Sequence, residues 1–383
     1  MLYFDHNASG PLSTAARLAW LEAQERFPAN PSSLHRAGQR AEAALDAARG
    51  SLAAQLGCNE ASLVWTSGAT EAASAVFGHL AEQAQPGAEV WLSAVEHPCV
   101  LESAERAFAG RVRRLPVCGA GVLHPEALDV ALAGGRPAAV AVMAASNETG
   151  VLQPWEAVQA WCRAAGVPFV CDATQWIGRL PAGGLGGCDF LFGSGHKCGG
   201  PVGTGFLSVG VRPFRLRPLL CGGPQEEGRR AGTQNVAGAA AFAAAVADCA
   251  DRFAGIPERL EWRGRFEEVV SRALPGTRVL GAGAERLWNT VAFLPPGLAD
   301  CRQRWVVRLD AAGVAASSGS ACASGREQPS HVLEAMGVAR AAADRVLRLS
   351  AGWETGWTEW EEVARRLGEI YARLGGREPE KQA

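Results

Sequence analysis

Between residues 33 and 208 the sequence alternates helical patterns with short apolar runs, and no other feature constrains the fold as strongly. The runs lie at 62–66, 90–93, 138–144, 167–171, 190–193 and 205–209. Alternation of this kind predicts an α/β architecture, a mostly parallel sheet covered by helices. After residue 210 come a loop rich in Gly, Pro and Arg and an alanine-rich helix at 236–250. A smaller α/β unit should follow, as helix (258–273), strand (288–294), helix (302–312), Gly/Ser loop, strand (346–350) and final helix (358–374). The expected division is an N-terminal segment (1–15) packed on the small domain, a large domain (16–252), and a small domain (253–383) carrying a loop at about 316–329.

In a parallel sheet ligands sit at the carboxyl ends of the strands, so the polar residues just after each run matter most. One of them is Lys197. Of the 37 basic residues only Lys197 and Lys381 are lysines, and Lys381 lies two residues from the C-terminus. Imine chemistry needs a primary amine that can lose its proton, which a guanidinium cannot supply. The alternative is that Lys197 is a chance survivor of a lysine-to-arginine drift.

Its neighbours argue for chemistry. Ser194-Gly195-His196-Lys197 follows a run, and the hydroxyl and imidazole can hold a phosphate while the amine reaches an aldehyde. Ser67-Gly68-Ala69-Thr70-Glu71 opens a helical pattern whose free backbone N–H groups suit the same phosphate, although a Thr there can be only an N-cap. Asp172 ends a buried run, where its charge needs a cationic partner such as a protonated pyridine nitrogen; the plain reading is a turn-capping Asp. His97, before Pro98, either stacks on a flat cofactor or caps a helix. Asn147, in Asn147-Glu148-Thr149-Gly150, either donates to a ligand or forms a turn.

The formal net charge of -2 gives no basic field for nucleic acid or an anionic membrane. With no apolar signal core at the N-terminus and no long uncharged stretch, the expectation is a cytoplasmic protein. Eleven cysteines, an odd number without a C-x-x-C pair, predict neither a disulfide framework nor a structural metal site. Cys322 differs from the others because it sits near the tip of a Gly/Ser stretch, where a reactive thiol has access and freedom to move.

These segments together resemble the cysteine desulfurases, a branch of the class V aminotransferase-like enzymes with the type I pyridoxal-phosphate fold. The resemblance runs in order from Tyr3-Phe4-Asp5-His6-Asn7-Ala8, through Asn30-Pro31-Ser32-Ser33-Leu34-His35, the Thr70 turn, Glu96-His97-Pro98, Asn147 to Gly150, Asp172-Ala173-Thr174-Gln175, Ser194 to Lys197, Arg230-Ala231-Gly232-Thr233 and the Cys322 loop, to Arg348-Leu349-Ser350. It implies that Lys197 holds pyridoxal 5'-phosphate as an imine, Asp172 pairs with the pyridine nitrogen, Gln175 contacts the ring oxygen and His97 stacks on the ring. Ala69, Thr70, Ser194 and His196 would hold the phosphate, with Thr233 arriving from the second subunit of a homodimer. Asn147 and Arg348 would bind the carboxylate of L-cysteine, and Cys322 would take its sulfur as a persulfide, releasing alanine. A sulfur-acceptor protein, of iron-sulfur cluster assembly or a thiolation pathway, would be the partner. The chain departs from the family at Ser9-Gly10, Pro224, Arg326-Glu327-Gln328 and Trp353. Rival readings are a selenocysteine lyase or aminotransferase of the same group, or a non-catalytic sulfur carrier on the same fold.

Overall fold

The computed structural model describes residues 1–210, 216–297, 304–318 and 330–374. After β1 (Leu2–Tyr3) come the seven strands of the large sheet: β2 (Leu63–Thr66), β3 (Val90–Ser93), β4 (Val112–Leu115), β5 (Ala139–Ala141), β6 (Phe169–Asp172), β7 (Phe190–Ser194) and β8 (Gly205–Val209). Their order is β2-β8-β7-β6-β5-β3-β4. Every pairing is parallel except those of β8, which runs antiparallel to both neighbours. The connection 195–204 is too short for a parallel crossover, so the chain turns straight back.

Successive strand residues point to opposite faces, and both faces are covered. Val64, Leu92, Val170, Phe192 and Leu207 pack with the helices Ala69–Gln83 and Pro98–Phe108. Trp65, Trp91, Cys171, Leu191 and Phe206 pack on the other side with Arg36–Leu56, Trp155–Ala165 and Val236–Ala250. This is the mostly parallel, helix-covered sheet that the alternation predicts. Strand β4 escapes the apolar pattern because it is an edge: Arg113 and Arg114 reach solvent there, and Arg113 pairs with Glu89 at 2.7 Å.

Four further strands follow: β9 (Arg278–Val279), β10 (Thr290–Leu294), β11 (Val314–Ala315) and β12 (Leu347–Ser350). Strand β10 pairs antiparallel with β9 and β12, and Phe266, Phe293, Leu349 and Trp360 build a core between this sheet and the helices Ile256–Ala273 and Trp357–Arg373. The chain's first residues join the two sheets. Strand β1 pairs with β11 and Asp5 bridges to Ser350, whereas the Gly10 and Ser13 N–H groups donate to the carbonyls of His196 and Gly199 at 2.7 and 2.9 Å. Asn7 and Ala8 are thereby laid against Lys197. Among the described residues no helix is long and apolar enough to cross a membrane, and no His/Cys/Asp/Glu group could hold a metal ion.

Candidate active site

Strands β2, β3, β5, β6 and β7 all end at one edge of the sheet, and the chemistry-bearing residues follow those ends. After β2 the chain turns at Gly68 into the helix Ala69–Gln83. A Cβ on Gly205 would lie 2.5 Å from the Gly68 Cα, so glycine is what lets β8 run this close to the turn. The Ala69 N–H donates to Ser194 Oγ at 2.8 Å, joining the helix N-terminus to the end of β7. Glu71 accepts from the Ser67 N–H at 2.8 Å and pairs with Arg230 at 2.9 Å, which fixes the turn from behind.

At the end of β6, Asp172 is buried and its Oδ1 accepts the Thr174 N–H at 2.9 Å. His97 caps the helix Pro98–Phe108, its Nδ1 accepting the Cys99 N–H at 3.1 Å. The plain and the functional readings of His97 are thus compatible, since Nδ1 serves the helix and the ring lines the cavity. Burial lowers its pKa below the ordinary 6.5, Asp172 opposes this, and the Lys197 cation adds to the lowering. His196 is pushed down to about 4 by burial, with Lys197 and Arg179 acting in the same direction. Lys197 Nζ donates to the carbonyls of Asn7 and Ala8 at 2.9 and 2.6 Å.

Arg348, on β12, enters from the other sheet. It is 1% exposed, its Nη1 donates to the Asn147 carbonyl at 2.9 Å, and its Nη2 donates to Asp5 Oδ1 at 2.8 Å.

A cavity of about 250 Å³ brings Ala69, Thr70, His97, Asn147, Asp172, Gln175, Ser194, His196, Lys197 and Arg348 to one surface. Thr233 is exposed and does not line it, and Cys322 lies outside the described residues. Asn7, Ala8, Cys99, Met143, Ala145 and Thr174 also line it, without having been singled out from sequence. Asn7, a polar residue of the opening motif, is 1% exposed here. Its side chain donates to Thr290 Oγ1 at 2.9 Å and accepts from Asn289 Nδ2 at 3.2 Å, while its carbonyl accepts from Gln175 Nε2 at 3.0 Å.

Behind the cavity wall sit two buried acids. Glu96 is pushed up to about 8 by burial, reinforced by Asp172 and offset by the Met143 N–H that donates to it at 2.6 Å. Glu148 is pushed up to about 7 by burial, which the Ser330 hydroxyl at 2.6 Å and Arg348 oppose. The folded chain therefore binds more protons than the unfolded one between their ordinary value of 4.5 and these raised values. Stability from these groups is complete below pH 4.5 and is lost as pH rises through about 7 and 8. The depressed histidines act oppositely, but only below their ordinary 6.5. From pH 6.5 to 8 the Tm should fall, and Glu96→Gln should flatten that slope. A slope unchanged in the variant would show that Glu96 does not carry it.

Residues 2–358 match the model of the family Aminotransferase class-V. The chain is 36% identical to a cysteine desulfurase of Klebsiella pneumoniae, covering 99% of this chain and 94% of that protein. It is 38% identical to a cysteine desulfurase of Cereibacter sphaeroides, over 96% of this chain and 94% of its relative. Among solved structures, a NifS-like protein superposes with a TM-score of 0.87 at 27% identity, covering 97% of this chain and 99% of that one. SspA in complex with cysteine superposes with a TM-score of 0.78 at 27% identity, over 91% and 98% of the two chains.

Proposed function

The chain belongs to the Aminotransferase class-V family and, within it, to the cysteine desulfurases, and from that premise we propose which of its residues perform the reaction. The family uses pyridoxal phosphate, and the cavity has the donor set to hold it. The carrying observation is that a lysine amine, a strand-end carboxylate and a helix N-terminus beside Ser194 share one cavity wall. Gln175 Oε1 and Thr174 Oγ1 support the fit, because both are buried there with no hydrogen bond inside the chain.

When bound, the cofactor supplies an electron-accepting ring that stabilises the carbanion left when an amino acid loses its Cα proton. Lys197 Nζ would anchor it covalently, and Asp172 would neutralise the protonated pyridine nitrogen. The N-terminus of the helix Ala69–Gln83, with Thr70, Ser194 and His196, would take the phosphate. His97, with Nδ1 committed to its helix, would present a flat ring face to the cofactor. With the amine of cysteine in its place on the cofactor, Lys197 Nζ would serve as the base for the Cα proton, and the Asn7 and Ala8 carbonyls would accept from the ammonium that it becomes.

Arg348 and Asn147 hold the substrate carboxylate. The Cys322 thiolate then attacks the sulfur of cysteine: an S–S bond forms, the Cβ–S bond breaks, and its electron pair is taken up with a proton as alanine leaves. The bound sulfur is oxidised to the persulfide level and the carbon is reduced, so no outside oxidant is needed. A cytoplasmic homodimer in which Thr233 completes the partner's phosphate site, and a protein acceptor for the persulfide, complete the reading.

Incubating the cofactor-loaded protein with L-cysteine should yield alanine and, with a reductant, sulfide in equal amounts. Transamination products without sulfide would point to an aminotransferase. Arg348→Ala should keep the cofactor but lose about tenfold to over a hundredfold in kcat/KM, since a charge-assisted contact is worth roughly 1.5–3 kcal/mol. Unchanged kinetics with cysteine would assign the carboxylate to another residue.

A further inference from the structure

The guanidinium assigned to the substrate is already engaged. Its Nη2 donates to Asp5 Oδ1 at 2.8 Å, and Asp5 is held there from two sides. The Asp5 carbonyl accepts the Ala8 and Ser9 N–H groups at 3.0 and 3.2 Å, and the residue bridges to Ser350, two positions beyond Arg348 on β12. The backbone that carries the carboxylate is therefore fixed beside Arg348. Arg348 is 1% exposed, so charges beside it are poorly screened. Among the described residues, ionisable groups acting on this pair include Glu148, Arg179 and the Tyr3 hydroxyl. A second carboxylate brought to this guanidinium meets a cation whose charge is already shared and an anion that repels it.

We propose that Asp5 is a positioning residue that acts through Arg348: it holds the guanidinium in the cavity wall and competes with the α-carboxylate of the amino acid, so that substrate and product are both bound loosely. This rests on the reading that Arg348 grips the carboxylate of cysteine. Alanine, the product, carries the same carboxylate as the substrate. A grip weakened by a built-in competitor speeds the departure of alanine, whereas uniformly tight binding would only lower KM.

Asp5→Asn keeps the size of the side chain and its acceptor oxygen and removes the competing charge. The KM for L-cysteine and the inhibition constant for L-alanine should both fall, by about five- to tenfold, as expected for relief of like-charge juxtaposition. Cysteamine has the thiol and amine but no carboxylate, so its affinity, read from the absorbance change on mixing, should not move. Loss of a merely structural contact would loosen binding, so tightening confined to carboxylate-bearing ligands is the signature. A KM for cysteine that rises or stays the same in Asp5→Asn, while Arg348→Ala raises it, would overturn the role of Asp5 alone. An Arg348→Ala protein with an unchanged KM would overturn the substrate grip and this inference with it.

Discussion

The Lys197→Ala protein is expected to lose the visible absorption of the cofactor-loaded enzyme, and its turnover of cysteine should drop by roughly 10²–10⁴-fold or more, the range for losing a group that moves a proton. Both losses follow from one atom. In the structure Nζ lines the cavity and donates to two backbone carbonyls contributed by the chain's first residues, Asn7 and Ala8. The alanine variant removes the covalent anchor for the cofactor and the base for the Cα proton together. Arginines cannot substitute, because guanidinium stays protonated and does not form the imine. The other lysine, Lys381, is seven residues past the last described position, and Lys381→Ala should leave absorption and rate unchanged. A normal visible band in Lys197→Ala would remove the basis for the cofactor assignment.

Legibility from sequence varied with the physical origin of each feature. Strands buried on both faces leave few polar positions, so β3 and β8 could be read to the residue from apolar content alone. Strand β4 could not, because an edge strand tolerates Arg113 and Arg114. The antiparallel course of β8 was also hidden, since it depends on the length of one connection rather than on any residue pattern.

In the site, Asp172, Ser194 and Lys197 were legible because each follows an apolar run, where the sheet places ligands. Asn7, Ala8 and Asp5 were not read as site residues, because their role arises from a β-bridge to Ser350 and from contacts hundreds of positions away in the chain. No local pattern encodes such pairings. Glu96 stood beside His97 in a quoted motif, but that it is buried and pushed up to about 8 is a property of the packed wall, not of the motif.

Cys322→Ala should separate the steps the cofactor cavity performs from the one that needs a protein thiol. The substitution leaves Lys197, Asp172, Arg348 and the turn at Gly68 in place, so cofactor should bind and mixing with cysteine should still change the spectrum. Turnover should then stop, because a thiolate is the only strong nucleophile that the Gly/Ser stretch offers. Six of the nine described cysteines are poor substitutes, being buried or carrying raised thiol pKa values, such as Cys198, pushed up to about 11, and Cys58, raised chiefly by burial. The most direct measurement is therefore peptide mass analysis of the wild-type enzyme, treated with L-cysteine and then alkylated. The account predicts one additional sulfur on the peptide containing Cys322 and none in comparable amount elsewhere. Sulfur found on another cysteine, or alanine and sulfide produced by Cys322→Ala at the wild-type rate, would contradict it.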